Sequence, residues 1–376
     1  MPRGRYGKGT GGTMIKAGII GATGYAGVEL FRILLRHPQV EKIYASSVSF
    51  EGQRIDAVYQ NLLGQLGTKS DDRLLTADEV KEQSDVVFTA LPHGIAEQYA
   101  DYCVSHGKKL IDLSADFRYG MDEATFKKWY GKDWQFPAVH EECVYGSPEM
   151  NREQIRGARV IGNPGCYVTS ATLALLPALK EGLVRTDCII VDSKSGVTGS
   201  GRNPSMSNQF CECGESFSAY KVGCHRHQSE IARNCSLIAG TDVNIVFTPH
   251  LIPQNRGILS TIYAPLTEAG AARVASLAAE HGGDAAAAVR ALYEKAYAAE
   301  PFVRVLPAGV NPTTRTVRYT NFCDLQVFVV DGGKMLQLVS CLDNMVKGAS
   351  GQAVQNMNLM YGFDERTALD FVPPAF

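Results

Sequence analysis

Short apolar runs alternate with amphipathic stretches along the first half of the chain. Such runs, each typical of a buried strand, occupy residues 15–20, 40–45, 86–90 and 109–113. After the first run, a helical pattern over residues 25–37 places Val28, Phe31 and Leu35 on one side, and Pro38 ends it. Strands that alternate with helices predict a parallel sheet covered by crossover helices, so the first half predicts an α/β domain of the Rossmann type.

The second half has a different pattern, in which several strands follow one another more closely. Strand patterns occupy residues 188–192, 244–248, 257–264, 325–330 and 335–341. Asp331, Gly332 and Gly333 join the last two strands as a hairpin, and alanine-rich helices lie between residues 268 and 299. This mixture of hairpin and crossover connections predicts an α+β domain with a largely antiparallel mixed sheet.

The same pattern predicts the domain boundaries. Residues 1–13 are glycine-rich and basic, which is typical of a flexible leader. The α/β domain is predicted to cover residues 14–162 together with about residues 347–376, where a helix over residues 347–360 packs back on it. The α+β domain is then residues 163–346. A chain of 376 residues has ample core for both domains.

Composition and charge exclude several classes of function. Hydrophobic residues make up 45% of the chain and charged residues 20%, as in an ordinary globular protein. The formal net charge of -2 provides no broad field for nucleic acid, and no apolar run approaches the length that a bilayer needs. Ten unevenly spaced cysteines without a secretory signal predict reduced thiols and a cytoplasmic location.

A glycine-rich turn follows the first predicted strand. Gly21, Ala22, Thr23, Gly24 and Tyr25 lie where the chain leaves that strand and enters the first helix. The glycine spacing is Gly-x-x-Gly-x-x-Gly, which departs from the usual Gly-x-Gly-x-x-Gly. Glycines allow a tight turn and a close approach of a pyrophosphate to the helix N-terminus. The order of strand, turn and helix predicts that these five residues bind a dinucleotide.

The end of the second predicted strand bears on which dinucleotide is bound. An NAD enzyme usually has an Asp or Glu there for the ribose 2′-hydroxyl, whereas this chain has Ser46 and Ser47. These hydroxyls and the nearby Arg54 favour a 2′-phosphate, and hence NADP. Pro92 and His93 follow the third strand, at the edge where a parallel sheet carries its ligand loops, so we expect them at the cofactor site.

One cysteine is placed at the start of a predicted helix. Residues 162–167, with the sequence GNPGCY, break the chain after a short strand, and a helical pattern follows over residues 169–180. Cys166 is therefore predicted at the positive end of a helix dipole, which lowers a thiol pKa and favours a nucleophilic thiolate. Free backbone N–H groups at the same place can hold an oxyanion.

Cysteine and histidine residues are also concentrated in one stretch of the second half. They are Cys211, Cys213, Cys224, His225 and His227. The Cys-x-Cys spacing differs from the ligand spacing that is common in zinc sites. We therefore expect no metal site here.

Seven short stretches carry a resemblance to one enzyme family. They are residues 21–27, 112–118, 162–167, 195–202, 225–227, 247–250 and 343–348. From Met14 nearly to its end, the chain resembles the N-acetyl-γ-glutamyl-phosphate reductases of arginine biosynthesis. Val168 and Ser229 stand where that family usually has proline. Both are helix-start positions, where proline is favoured but not required, so these departures affect local stability more than chemistry.

The resemblance implies a fold, a cofactor and a reaction. The fold is a Rossmann domain with an α+β domain like that of glyceraldehyde-phosphate and aspartate-semialdehyde dehydrogenases. The cofactor is NADP, the substrate is a small acyl phosphate, and the protein is a homo-oligomer, either a dimer or a tetramer. In the implied reaction, Cys166 displaces phosphate to form a thioester, and NADPH reduces that thioester to an aldehyde.

The resemblance also implies roles for further residues. His227 and His225 are candidates for the acid/base group; we favour His227 because it is closer to the helix predicted over residues 228–239, whose N-terminus keeps an imidazole neutral. His225 is then expected to support the loop. Arg118 and Arg226 are expected to bind the substrate carboxylate or phosphate, because guanidinium groups match both.

Two more residues are expected near the cofactor on the same basis. Gly196 lies in the 195–202 stretch, and Asn344 lies in the 343–348 stretch near the C-terminal segment.

Three other functions fit parts of the sequence. A reductase of lysine biosynthesis that acts on a carrier-linked acyl phosphate would share every catalytic residue. An aspartate-semialdehyde dehydrogenase is a second possibility, although residues 165–167 and 225–227 fit it less well. A non-catalytic NADPH-binding sensor is the third, and an intact Cys166 with two nearby histidines argues against it.

Overall fold

The computed structural model describes residues 13–70 and 73–375, which contain two sheets. The first sheet has six strands: β1 (Ile15–Ile20), β2 (Val40–Ser46), β3 (Val86–Thr89), β4 (Lys109–Asp112), β5 (Cys143–Tyr145) and β6 (Val160–Gly162). All pair in parallel, in the order β2-β1-β3-β4-β6-β5. Apart from Thr13, the leader predicted for residues 1–13 lies outside the described residues.

The second sheet is mixed. Its seven strands are β7 (Ile189–Ser195), β8 (Ser218–Ala219), β9 (Ile245–Leu251), β10 (Ile258–Pro265), β11 (Val303–Val305), β12 (Cys323–Val330) and β13 (Met335–Leu342). They lie in the order β11-β12-β13-β10-β7-β9-β8, with β11/β12 and β7/β9 parallel and the other pairs antiparallel. The predicted fold class is confirmed.

Thirteen α-helices surround the sheets in the described part of the chain. They are α1 (Tyr25–Leu34), α2 (Ile55–Val58), α3 (Ala77–Gln83), α4 (Glu97–Ser105), α5 (Glu123–Tyr130), α6 (Pro148–Gly157), α7 (Cys166–Lys180), α8 (Phe210–Cys213), α9 (His227–Ala239), α10 (Glu268–Glu280), α11 (Ala285–Ala296), α12 (Thr314–Val317) and α13 (Gly351–Met360). Within residues 13–70 and 73–375, none is long and apolar enough to cross a membrane.

Some helix ends differ from the predictions. α1 ends at Leu34, before residue 37, and α9 begins at His227 rather than at residue 228. The helix predicted over residues 347–360 is divided, because Val346–Ser350 forms a π-helical turn before α13 begins. Single π turns of this kind often occur at functional sites, and this one contacts the catalytic candidate described below.

Apolar packing places α13 on the first sheet and α7 on the second. Val354 and Met357 of α13 share a buried cluster with Ile19 of β1, so the last helix packs on the first sheet. Leu173 of α7 instead shares the buried cluster of the second sheet with Ile189 of β7. Because α7 begins four residues after the end of β6, its first turn lies where the two sheets meet.

Candidate active site

Cys166 is the first residue of α7. Gly165 precedes it in extended conformation, with φ -68° and ψ 145°, and no side chain caps the helix. The first N–H groups of a helix have no partner within it, so they are available to an anion at this point. The predicted placement of the cysteine at a helix N-terminus is therefore observed.

A buried ion pair holds the turn that carries the cysteine. Nη1 of Arg118 lies 3.1 Å from Oε2 of Glu230, and neither side chain has more than 6% of its surface exposed. Nε of Arg118 donates to the carbonyl oxygen of Asn163 at 2.8 Å, and the N–H of Gly165 donates to Oε1 of Glu230 at 3.0 Å. The pair thus fixes both sides of Pro164, and breaking it would leave an uncompensated buried charge.

His227 lies against this turn from the first position of α9. A methyl group added at Gly165 would come within 2.5 Å of Nε2 of His227, which shows how closely the imidazole approaches the residue before the cysteine. The ring centres of Tyr167 and His227 are 5.9 Å apart. His227 is therefore the histidine nearest in this structure to the backbone of the cysteine turn.

Both histidines are neutral. Burial, followed by the nearby His225 and Arg118, lowers the pKa of His227 well below its usual value. Burial and the charges of Lys221 and Arg226 lower the pKa of His225 to about 4. Nδ1 of His225 accepts the backbone N–H of His227 at 3.1 Å. That bond engages His225 in supporting the start of α9, whereas a neutral His227 can accept a proton.

The predicted low pKa of Cys166 is wrong. Burial raises the pKa of the Cys166 thiol to about 11; the backbone N–H of Tyr167 and the charge of Arg118 lower it only in part. The helix N-terminus acts as predicted, but tertiary packing removes more solvation from the thiolate than the helix restores. The thiol must therefore lose its proton during attack, which requires a base beside it.

This pKa predicts how Cys166 reacts with an alkylating reagent. We expect its alkylation rate by iodoacetamide to increase steadily with pH above neutrality, because the thiolate fraction grows until pH approaches about 11. The measurement is mass spectrometry of the peptide that contains Cys166, since Cys188, Cys211 and Cys224 are exposed and also react. A rate that is constant above about pH 7 would indicate a thiolate already formed, and would contradict the prediction.

The π-helical turn also contacts the cysteine. A methyl group added at Gly348 would lie 2.8 Å from Cβ of Cys166, so only glycine allows this approach. Oγ of Ser350, at the end of the same turn, donates to the carbonyl oxygen of Ala26 in α1 at 2.9 Å. The turn thus joins the cysteine to the helix that follows the glycine-rich loop.

Positive charges gather beside the histidines. After burial, the charges of Arg118, Arg226, Lys132 and Lys221 are the causes that lower the pKa of His93 to about 3. Lys132 and Lys221 are not apparent from the sequence, because they are far apart along the chain and single lysines carry no pattern. A substrate that bears phosphate and carboxylate groups fits this positive region.

The two predicted arginines differ in their surroundings. Arg118 is buried and bonded to Asn163 and Glu230, as described above. The guanidinium carbon of Arg226 lies 4.8 Å from the ring centre of Tyr130, and within the described residues no carboxylate pairs with it. Substrate binding by Arg118 and Arg226 stays a prediction. Glu230 was missed by sequence reasoning, although its position one helical turn after His227 is the signal that identifies it.

The glycine-rich loop fits a pyrophosphate. Gly21 has φ +90°, a conformation that favours glycine, and a methyl group at Gly27 would come within 2.2 Å of the carbonyl oxygen of Gly21. Gly24 precedes α1 and no side chain caps that helix. The backbone N–H groups at the start of α1 are therefore suited to phosphate oxygens, as the sequence predicts for a dinucleotide.

The serines predicted to discriminate between cofactors lie beside this loop. Ser46 ends β2, and Oγ of Ser47 lies 2.6 Å from Oγ1 of Thr23. Arg54, in contrast, donates from Nε and Nη2 to the two carboxylate oxygens of Asp56 at 2.9 and 2.7 Å. The structure therefore brings the serines to the loop, while the guanidinium of Arg54 is directed to a carboxylate in its own segment. Contact between Arg54 and a cofactor stays a prediction.

The remaining cofactor candidates fall into two places. Pro92 and His93 follow β3 at the carboxyl edge of the first sheet. Gly196 and Asn344 are joined through Gly257, whose carbonyl oxygen accepts the N–H of Gly196 at 2.9 Å and whose N–H donates to Oδ1 of Asn344 at 2.8 Å. Their contacts with a cofactor stay predictions. No three His, Cys, Asp or Glu side chains among the described residues are arranged to hold a metal ion.

Gly165 offers a direct test of the contact between the cysteine turn and the imidazole. We expect Gly165→Ala to lower kcat by about 10- to 100-fold, because the methyl group displaces His227 and small misplacements at a reacting centre cost rates of this order. Binding of the dinucleotide cofactor, measured by titration, is expected to be unchanged. Gly157→Ala is the matched control, since a methyl group there meets nothing within 4 Å. An unchanged kcat in Gly165→Ala would contradict this geometry.

Comparisons with known proteins agree with this arrangement. The family model for the semialdehyde dehydrogenase NAD binding domain matches residues 16–158, and the model for the semialdehyde dehydrogenase dimerisation domain matches residues 166–344. Among solved structures, aspartate semialdehyde dehydrogenase II of Vibrio cholerae has a TM-score of 0.68 at 17% identity, over 93% of this chain and 98% of that one. The Candida albicans aspartate semialdehyde dehydrogenase with NADP has a TM-score of 0.62 at 14% identity, over 93% and 98%. These structures show the fold.

Curated relatives are much more similar in sequence. N-acetyl-gamma-glutamyl-phosphate reductase of Clostridium beijerinckii is 45% identical over 364 residues, which is 96% of this chain and 100% of the relative. The enzyme of the same name from Pseudomonas putida is 46% identical, over 95% of this chain and 98% of the relative. Identity at this level over nearly the whole of both chains shows the family. The chain therefore belongs to the N-acetyl-gamma-glutamyl-phosphate reductases.

Proposed function

We propose that this protein reduces N-acetyl-γ-glutamyl 5-phosphate to N-acetyl-glutamate 5-semialdehyde in arginine biosynthesis, consuming NADPH and releasing phosphate. The observation that carries the proposal is the placement of Cys166 at an uncapped helix N-terminus beside a neutral His227. An acyl phosphate is already activated, so a sulfur nucleophile displaces phosphate without further activation. The membership of the reductase family supports the choice of substrate.

The first half of the reaction forms a thioester. His227 accepts the proton of the Cys166 thiol as the sulfur attacks the acyl carbon. The bond between that carbon and the phosphate oxygen then breaks, and phosphate leaves as hydrogen phosphate after it takes up one proton from solvent. Backbone N–H groups at the start of α7 stabilise the oxyanion that forms during attack. A base is needed here because the pKa of the thiol is raised to about 11.

The second half releases the aldehyde. NADPH held at the glycine-rich loop would supply the hydride that reduces the thioester carbon. The resulting oxyanion lies against the same N–H groups of α7, and its collapse breaks the carbon–sulfur bond. The sulfur then recovers its proton from His227, which returns both residues to their starting states. Each proton that His227 accepts is thus returned within one turnover.

The same division of roles extends to the domains. We infer that residues 14–162 with about 347–376 hold the cofactor, and that residues 163–346 supply acid/base chemistry and the oligomer interface. The basic residues beside His93 suit the phosphate and carboxylate of the substrate.

All ten cysteines are free, which supports a reducing, cytoplasmic location. The likeness to aspartate-semialdehyde dehydrogenases is one of fold alone, so the activity of those enzymes is not favoured for this protein. The carrier-linked alternative is not favoured either, because the near-full-length relatives are N-acetyl-gamma-glutamyl-phosphate reductases.

NADPH is the proposed cofactor in preference to NADH. The support is the absence of a carboxylate at Ser46 and Ser47, where a carboxylate would bind a ribose 2′-hydroxyl and repel a 2′-phosphate. Steady-state assays with each cofactor and the acyl phosphate test this proposal together with the activity. We expect a higher kcat/KM with NADPH than with NADH. Equal values would contradict the cofactor preference, and the absence of activity with both would contradict the function.

A homo-oligomer is proposed through the outer face of the second sheet. Ile190, Val246 and Tyr263 lie side by side on β7, β9 and β10, and the first two are 41% and 46% exposed. The match to a dimerisation domain over residues 166–344 supports this surface. We expect Val246→Asp to lower the molar mass measured by light scattering, because it buries a charge in the interface. Val372→Asp, at a 91% exposed valine, is the control. A monomeric unmutated protein would contradict the proposal.

A further inference from the structure

Arg202 comes from the second domain but contacts the first. It follows the short turn Val197–Ser200 after β7, and its Nη1 donates to the carbonyl oxygen of Thr23 at 3.0 Å. Its guanidinium carbon lies 4.9 Å from the ring centre of Tyr59 and 5.2 Å from that of Phe50. The two rings hold the cation in a fixed place beside the glycine-rich loop.

The groups around Arg202 are suited to an anion. Oγ1 of Thr23 lies 2.6 Å from Oγ of Ser47, and the hydroxyl of Tyr59 donates to the carbonyl oxygen of Thr23 at 3.0 Å. In residues 13–70 and 73–375, no carboxylate pairs with Arg202. A guanidinium has five N–H donors, and the bond to the carbonyl oxygen of Thr23 and the hydrogen bond to the side chain of Tyr59 leave several of them available. The guanidinium of Arg202, which has unused N–H donors, thus lies beside these hydroxyl groups and close in space to the end of β2.

This position has a defined meaning in a Rossmann domain. The end of the second strand faces the adenosine ribose, and its side chains distinguish a 2′-hydroxyl from a 2′-phosphate. Arg54 is the arginine that the sequence predicts to bind the 2′-phosphate, because it lies in the loop after that strand. Its guanidinium is bound in a two-bond arrangement to Asp56, so its charge is balanced within the segment. Arg54 is therefore directed to Asp56, whereas Arg202, which is distant in the sequence, lies beside the glycine-rich loop.

We propose that Arg202 binds the 2′-phosphate of NADPH, so that a residue of the second domain determines the cofactor preference. The proposal rests on the proposed use of NADPH. Guanidinium matches phosphate oxygens in two-bond geometry and stays charged at every relevant pH. Charge-assisted hydrogen bonds of this kind are about twice as strong as neutral ones. Because Arg202 is already stacked on Phe50 and Tyr59, little side-chain freedom is lost when the phosphate binds.

Titration calorimetry on the full-length protein tests this assignment. The variants are Arg202→Gln, Arg202→Lys and Arg54→Gln, with Arg156→Gln, at a surface arginine whose side chain is 48% exposed, as the matched control; the probes are NADPH, NADH and 2′,5′-ADP. We expect Arg202→Gln to raise the Kd for NADPH and 2′,5′-ADP by about 10- to 100-fold, while the Kd for NADH changes by less than about two-fold. Arg202→Lys keeps the charge and is expected to recover part of the loss. Arg156→Gln is expected to leave all three values unchanged, and Arg54→Gln is expected to weaken NADPH less than Arg202→Gln does, because Asp56 already binds the Arg54 guanidinium.

The outcomes separate this inference from the proposed function. Equal Kd values for NADPH and NADH in the unmutated protein would overturn the cofactor preference and, with it, the role of Arg202. If the unmutated protein prefers NADPH and Arg202→Gln weakens both cofactors equally, Arg202 only holds its loop and the inference is wrong. A loss specific to NADPH in Arg54→Gln, with none in Arg202→Gln, would assign the phosphate to Arg54. If Arg202→Gln does not fold, the same comparison is made with Arg202→Lys, for which equal weakening of both cofactors overturns the inference.

Discussion

Cys166→Ser is expected to lower kcat by at least about four orders of magnitude, because removal of a covalent nucleophile eliminates the catalytic unit to which it belongs. A serine hydroxyl is a far weaker nucleophile than a thiol beside the same base. NADPH binding is expected to persist, because Cys166 belongs neither to the glycine-rich loop nor to the proposed 2′-phosphate site at Arg202. The measurement is the rate of NADPH oxidation with the acyl phosphate, together with calorimetry for the cofactor.

A second cysteine provides the control for this variant. Cys188 is exposed at the edge of β7, so Cys188→Ser is expected to keep full activity. Activity in Cys166→Ser close to that of the unmutated enzyme would contradict covalent catalysis by this residue. A parallel loss of NADPH binding would instead indicate damage to the fold, and circular dichroism distinguishes that outcome.

His227→Asn is expected to lower kcat by about two to four orders of magnitude, as loss of a general acid–base group usually does. The effect follows from the contact between Nε2 of His227 and Gly165, and from the raised pKa of the thiol it must deprotonate. His225→Asn is expected to cost less, because Nδ1 of His225 supports the backbone N–H of His227. Steady-state kinetics on both variants measure the difference.

The comparison between the two histidines decides their roles. A larger loss in His225→Asn than in His227→Asn would exchange the acid/base and supporting assignments. Unchanged rates in both variants would contradict acid/base catalysis by this pair. Because the pKa of His227 lies below its usual value, its neutral form persists to lower pH, and protonation of this residue should cause no loss of kcat/KM between about pH 7 and pH 6.

Local sequence signals were sufficient for much of the fold and for the central residue of the site. β1, the glycine-rich loop and α1 are adjacent in the chain. The periodicity of the hydrophobic residues and the spacing of the glycines together predict all three. Cys166 was found in the same way, because a turn of asparagine, proline and glycine directly before a helix places a cysteine at its N-terminus. Such features depend on neighbours within a few residues, so a single sequence contains them.

Features that depend on distant partners could not be found in this way. The pKa of Cys166 depends on burial between two domains, and the helix dipole alone gave the wrong direction. Glu230 holds Gly165 across 65 residues of sequence, and Arg202 reaches Thr23 across 179. The π-helical turn at Val346–Ser350 packs against Cys166 and α1, whereas the sequence there predicts an ordinary helix.

The most direct test of the account is to isolate the thioester. The enzyme is mixed with N-acetyl-γ-glutamyl 5-phosphate in the absence of NADPH and quenched in acid, and the peptide that contains Cys166 is analysed by mass spectrometry. We predict one N-acetyl-glutamyl group on Cys166, release of an equal amount of phosphate, and loss of the adduct as aldehyde when NADPH is added. Phosphate release that requires NADPH, or an acyl group on any residue other than Cys166, would contradict the account.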